Sequence, residues 1–235
     1  MDSSDKSSVN EIRARFDGEV ERFSNLATGQ SATMDAAVCM ELGASAAAAA
    51  TSPIRAALDV GCGAGNYSLK LREHAAEAAF TLVDLSRPML DRAVERLGSS
   101  ASAAHQGDIR ELVFAPGSFD VILASAVLHH LRTPSEWESV FKSFHRWLRV
   151  GGSVWVFDLV SHESPAVQQL LWDRYGEYLL AQGGAAHRAK VFDYIVREDT
   201  PMPLTYQLKL AQQVGFSKTD VLHKNATFAA YGAVK

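Results

Sequence analysis

From residue 59 to residue 65 the chain reads Asp-Val-Gly-Cys-Gly-Ala-Gly. Three glycines at alternate positions let a backbone turn sharply and lie close against a ligand. The fit to the dinucleotide fingerprint Gly-x-Gly-x-x-Gly is poor, because its third glycine would fall on Asn66 or Ser68. The spacing Gly61, Gly63, Gly65 behind Asp59 suits a ligand without a pyrophosphate. Two further acids stand after apolar runs. Asp84 follows Phe80–Val83, where a carboxylate can accept from two vicinal ribose hydroxyls; the competing reading is an acid at the start of a helix. Asp108, in Gly107-Asp108-Ile109, can accept from an exocyclic adenine amine with Ile109 packed on the ring; the competing reading is a turn cap. His129 and His130 are suited to removing an acceptor proton near neutral pH, against the simpler reading of imidazoles bonded to backbone. With no cysteine or carboxylate at ligand spacing, the pair predicts no metal site.

The elements that must position these residues alternate. Arg55–Val60, Phe80–Val83, Ala101–His105, Phe119–Ala124 and Ser153–Phe157 read as strands. Between them Asn66–Ala76, Pro88–Leu97 and Ser135–Leu148 read as helices, the last stopped by Gly151-Gly152. Such alternation predicts a doubly wound, Rossmann-like α/β domain with a parallel sheet covered on both faces. Residues 11–50 read as N-terminal helices broken by a loop over Asn25–Gln30, and 164–200 as an inserted helical cap interrupted at Gly183-Gly184. Trp172, Tyr175 and Tyr178 recur there at helical spacing, more often a core stripe than a substrate box. Leu204–Val214 is a further helix. Lys218–His223 and Thr227–Val234 form a terminal hairpin. Residues 1–10 are expected to be disordered, and 11–235 to form one domain.

The composition narrows the partners. The net charge is −4 and the basic residues form no tail, so a nucleic-acid contact would need a local patch. Two cysteines make no disulfide framework and fit a reducing cytoplasm. The Ser/Asp-rich start lacks the features of a signal peptide, and no apolar run reaches membrane-spanning length.

Taken in order, Leu58–Gly65, Val83–Ser86, Gly107–Ile109, Phe119–Ala124 and Leu148–Gly152 resemble the successive motifs of class I S-adenosylmethionine-dependent methyltransferases. The resemblance covers residues 54–160. It implies a seven-stranded sheet whose last strand is antiparallel. It also implies that Asp59 and Gly61 lie near the amino-acid part of the cofactor, Asp84 on its ribose and Asp108 by its adenine. The expected cofactor set is Asp59, Gly61, Cys62, Gly63, Gly65, Asp84, Leu85, Met89, Asp108, Ile109 and Ala124, with His129 and His130 as candidate bases. The expected activity is methyl transfer to a small molecule, with a homodimer left open.

The stretch from Trp172 to Lys235 is also similar to the bacterial family that carboxymethylates the tRNA wobble uridine with carboxy-S-adenosylmethionine. Alignment to that family's carboxylate-binding arginine puts Ala189 at its position, with Arg188 adjacent, a departure that disfavours the carboxylated cofactor. A non-catalytic cofactor-binding protein is the remaining alternative. The charge balance predicts no tight, salt-sensitive binding to bulk tRNA. A filter-binding titration at low and moderate salt checks this; submicromolar affinity that falls steeply with salt would favour the tRNA reading.

Overall fold

Short apolar runs that end in glycine or acid build the centre of the molecule. The computed structural model describes residues 6–25 and 31–235. Seven strands, β1 (Ala56–Val60), β2 (Ala79–Asp84), β3 (Ala101–Gln106), β4 (Phe119–Ser125), β5 (Leu148–Leu159), β6 (Lys218–Asn225) and β7 (Phe228–Val234), form one sheet in the order β3-β2-β1-β4-β5-β7-β6. β1 to β5 pair in parallel, while β7 runs antiparallel to both β5 and β6. This is the doubly wound, seven-stranded architecture with an antiparallel last strand that the motif order implied.

Helices α3 (Ala36–Ala50), α4 (Asn66–His74), α5 (Arg87–Leu97), α6 (Pro134–Trp147) and α8 (Leu204–Val214) join the strands. One core packs α6 and α8 on the sheet through Trp137, Phe141, Phe144 and Leu210; another packs α3, α4 and α5 through Ala44, Tyr67, Leu71 and Leu90. The alanines of α3 let it lie close to its neighbours. Gly43 in α3 faces the Tyr67 ring of α4 so closely that an added Cβ would overlap the phenol.

Four sequence expectations need correction. Gly151-Gly152 do not stop α6, which ends at Trp147; β5 begins at Leu148, and the glycines sit where its register against β4 shifts. A strand edge that can bulge absorbs two glycines as readily as a helix end does. The turn between β6 and β7 is Ala226-Thr227, shorter than expected, because β6 continues to Asn225. The N-terminal helical stretch divides at Gly18 into α1 (Val9–Asp17) and α2 (Val20–Ser24). Residues 6–10, expected to be disordered, are ordered: Ser8 and Glu11 form a reciprocal capping box, and Lys6 Nζ donates to the carbonyls of Val196 and Asp199. Residues 1–5 of the expected tail and 26–30 of the expected loop lie outside the described residues.

The cap is a helix, α7 (Pro165–Glu198), with non-helical backbone at Gly183 and Gly184. Its two halves fold back on one another, since Trp172 stacks on Phe192 at 4.7 Å and Tyr175 packs beside it. The glycine pair is therefore a turn. Tyr175, fully buried, belongs to the core that ties α7 to Phe157 and Phe228 of the sheet, as the stripe predicted.

Gly43→Ala should destabilise the protein by about 1–3 kcal/mol through overpacking against Tyr67. Urea denaturation checks this; an unchanged midpoint would show that α3 and α4 can separate without cost.

Candidate active site

The carboxyl ends of β1, β2, β4 and β5 meet along one edge of the sheet, and three of these strands end on or beside an acid. Asp59, at 1% exposure, accepts from the backbone N–H and the hydroxyl of Ser68, fixing the first turn of α4. Asp84 accepts from the N–H of Gly63 through Oδ2 and of Ser86 through Oδ1, both at 2.8 Å. It thus fastens the glycine loop to the start of α5. Gly61 (φ +64°) and Gly63 (φ +50°) lie in the left-handed region that disfavours side chains. At Gly61 an added Cβ would also strike Val127; at Gly63 it would meet open space. The second glycine therefore leaves room on the cleft side of the loop.

That room belongs to a cleft open to solvent. Asp59, Gly61, Cys62, Gly63, Asp84, Leu85 and Met89 line one end, and His129, His130 and Asp199 the other. Arg15, Phe16 and Phe23 from the N-terminal helices and Tyr194 and Ile195 from the cap close over it. A smaller adjoining cavity of about 520 Å3 is lined by Asp84, Leu85, Asp108 and Ile109. The structure thus brings together most of the residues singled out in the sequence. Gly65 lies against Ala93 of α5 and permits close helix packing, and Ala124 is wholly buried in β4; neither is among the residues lining these two cavities. Asp108 is held by Arg110, which donates to both of its oxygens. Arg188, the alternative carboxylate ligand, packs against Gly176 and over Phe192, and does not line the cleft.

Two buried acids beside His129 escaped sequence reasoning. Asp158, completely buried at the end of β5, accepts from the N–H groups of Val127 and Leu128 through Oδ2 and pairs through Oδ1 with His129 Nδ1. Asp199, just past α7, has Oδ1 3.6 Å from His129 Nε2 and 3.3 Å from His130 Nδ1. A signal for Asp158 was available: it ends an apolar strand, as Asp59 and Asp84 do. Asp199 lies about 70 residues beyond the histidines, and no local pattern links them.

Burial sets the electrostatics. It pushes the carboxyl of Asp59 up to about 7 and of Asp84 up to about 6, since among the described residues neither has a basic partner. It likewise raises Asp199 to about 7, even against the pull of His129. His129 is raised to about 9, because Asp158 and Asp199 outweigh its own burial. His130 moves the other way, lowered by burial and by the neighbouring His129.

Residues 57–152 match the description of a methyltransferase domain. The chain is 35% identical to a malonyl-[acyl-carrier protein] O-methyltransferase of Halalkalibacterium halodurans, over 42% of this chain and 36% of that one. It is 23% identical to a carboxy-S-adenosyl-L-methionine synthase of Vibrio atlanticus, over 75% of each. Its fold is similar to that of a Burkholderia thailandensis 1,6-didemethyltoxoflavin-N1-methyltransferase solved with S-adenosylhomocysteine, with TM-score 0.63, 16% identity and coverage of 97% and 91%. The chain spans about half the length or less of the curated methyltransferases it matches. Seven strands in this order, the acid-flanked glycine loop and the matched segment make the chain similar, in fold and over residues 57–152 in sequence, to the class I S-adenosylmethionine-dependent methyltransferase family. Among the described residues no helix is long and apolar enough to cross a membrane.

The residues fit that family's cofactor. Two buried carboxylates without a basic partner favour a ligand that brings positive charge and hydrogen-bond donors, and the open side of Gly63 admits it.

Raised groups bind more protons in the folded than in the unfolded protein. The stability they confer is complete at low pH and is lost as pH climbs through their folded values. The stability from Asp59 and Asp199, raised to about 7, is lost by about pH 7, and that from His129, raised to about 9, is lost between 6.5 and about 9, so stability is predicted to fall between about pH 6.5 and 9. His130, lowered, contributes in the opposite sense only below the ordinary histidine value of 6.5. Thermal melts of the ligand-free protein should show Tm dropping across this window, less steeply in Asp199→Asn. A flat or rising Tm would contradict these charge states.

Proposed function

We propose that the protein transfers a methyl group from S-adenosylmethionine to a small-molecule acceptor that gives up a proton. The observation that carries this reading is the single cleft: the acid-flanked glycine loop lies at one end, and a buried histidine–carboxylate pair at the other. When bound, the cofactor supplies a methyl already activated on a sulfonium, which leaves orientation and proton removal to the protein. Asp84 would hold the ribose hydroxyls with its remaining lone pairs. Asp59, Gly61, Cys62 and Gly63 would take the amino-acid part, Leu85, Met89 and Ile109 the adenine, and Asp108, steadied by Arg110, its amine.

At the acceptor end Asp158 orients His129 through Nδ1. His129 carries a proton at neutral pH in this setting, so Asp199 is the partner that changes state there. The base is then the pair His129–Asp199, in place of either histidine alone. The acceptor is of modest size, because α1, α2 and the cap roof the chamber with Phe16, Phe23, Tyr194 and Ile195. The roof is tied down by Arg15, which donates from Nε to both oxygens of Glu198 at 2.9 and 3.1 Å. We read these segments as a lid that excludes water and selects the acceptor.

Incubation with methyl-labelled cofactor and a metabolite extract should place label in small molecules; label confined to macromolecules, or none, would overturn the reading. Asp84→Ala should weaken cofactor binding about 100-fold or more, since two hydrogen bonds to a charged group at about 1.5–3 kcal/mol each are lost. Asp199→Asn should leave calorimetric cofactor affinity within about twofold while lowering turnover by roughly 10²-fold or more. Equal losses in both quantities would assign Asp199 to cofactor binding.

A further inference from the structure

The cluster at the acceptor end holds more ligand-type atoms than proton transfer requires. One nitrogen each from His129 and His130 and one oxygen of Asp199 all lie within 4.8 Å of one another. Three observations bear on what they could hold. First, Asp199 Oδ1 is buried without a hydrogen-bond partner in a side chain that is only 4% exposed, and the ring of His130 is buried beside it with Nδ1 at 3.3 Å. Buried polar atoms left in this state cost stability unless something else satisfies them. Second, the Nδ1 of His129 is taken by Asp158, which leaves Nε2 directed at Asp199. A carboxylate behind an imidazole, fixing its ring and raising its basicity, is the usual support of a metal-bound histidine. Third, the charges sum suitably. With neutral imidazoles, Asp158 and Asp199 carry two negative charges, which a dication cancels. The nearby cation Arg15 is already committed to Glu198.

We propose that His129, His130 and Asp199 form a binding site for a divalent first-row transition metal ion, supported by Asp158 and open to the cleft. Two imidazoles and one carboxylate on one side of an ion suit zinc or ferrous iron and disfavour magnesium and calcium, which prefer all-oxygen sets. The separations of 3.3 and 3.6 Å between Asp199 Oδ1 and the two ring nitrogens match those between neighbouring ligands around an ion whose bonds are about 2.0–2.2 Å long. Phe16 packs its ring against His130 and shields that side from solvent. The remaining positions face the chamber, where water or an oxygen of a bound molecule completes the shell. Binding the ion displaces the proton that His129 otherwise carries. The site stands whether or not the methyl-transfer reading does, because it is tested without cofactor or acceptor.

Chelator-treated full-length protein is titrated with zinc chloride by calorimetry, with magnesium chloride in parallel. Zinc should bind one to one and magnesium should not. Asp158→Asn should weaken zinc binding by roughly 10- to 100-fold, and His130→Gln and Asp199→Asn should remove the site. His74→Gln, which alters the surface pair of His74 and Glu41, should change nothing. Because the buried variants can lose their fold, cobalt chloride is added to the wild-type protein as a second measurement. A visible absorption band that zinc abolishes, without the intense near-ultraviolet band of thiolate ligation, agrees with this ligand set and not with Cys62. No saturable zinc binding, equal binding of magnesium, a thiolate band, or zinc affinity unchanged in folded His130→Gln and Asp199→Asn would each overturn the proposal.

Discussion

A carboxylate buried where a strand ends, accepting N–H groups from the loop beside it, is the interaction on which the rest of this site depends. It occurs three times along one edge of the sheet. Asp59 holds the start of α4, Asp84 holds the glycine loop and the start of α5, and Asp158 holds the turn after β4. Loops at strand ends have donors that the sheet cannot satisfy, and leaving them unsatisfied in a buried setting is costly. An acid that accepts two or three of them fixes the loop and stays charged or neutral according to what else approaches. The same groups that build the loops therefore set the electrostatics of the cleft.

The protein keeps these acids in a state that burial alone disfavours. Asp120, at the opposite end of the sheet, shows the contrast. It accepts from the N–H groups of Arg55 and Ala56 and is paired with Arg149, so its charge is matched within the structure. Asp59 and Asp84 have no such partner among the described residues, and Asp199 shares one with Asp158. Asp120, matched by Arg149, supports the fold, whereas Asp59, Asp84 and Asp199, without a matching arginine, line the cleft.

The roof is built by long-range polar contacts as well as by packing. Ser7 donates its N–H to the carbonyl of Arg197, Arg15 grips Glu198, and Arg92 of α5 pairs with Glu21 of α2. Asn66 donates to the carbonyl of Phe23, so the first turn of α4 touches both the roof and, through Arg96, the glycine loop. Several of these contacts lie near the surface, where ion pairs contribute little individually.

The local sequence determined the strands, most helices and the buried acids at strand ends Asp59 and Asp84, because each is encoded within a few residues: an apolar run, glycines or an acid. Asp59, Gly61, Gly63 and Asp84 lie at the strand ends for that reason, while the antiparallel last strand followed from the resemblance and the terminal hairpin. Element ends were less legible, since Gly151 and Gly152 serve a bulge as well as a helix stop, and the capping box of Ser8 and Glu11 was hidden in a polar stretch. Gly65 lies against Ala93 and Ala124 is wholly buried, packing that depends on what lies behind a strand or turn and that no local pattern gives. Only the tertiary structure brought Asp158 and Asp199 to His129, across 29 and 70 residues of chain. Their chemistry arises from burial and from each other's charge, and neither is a property of local sequence; it exists once β5 and the end of the cap meet beside the turn after β4.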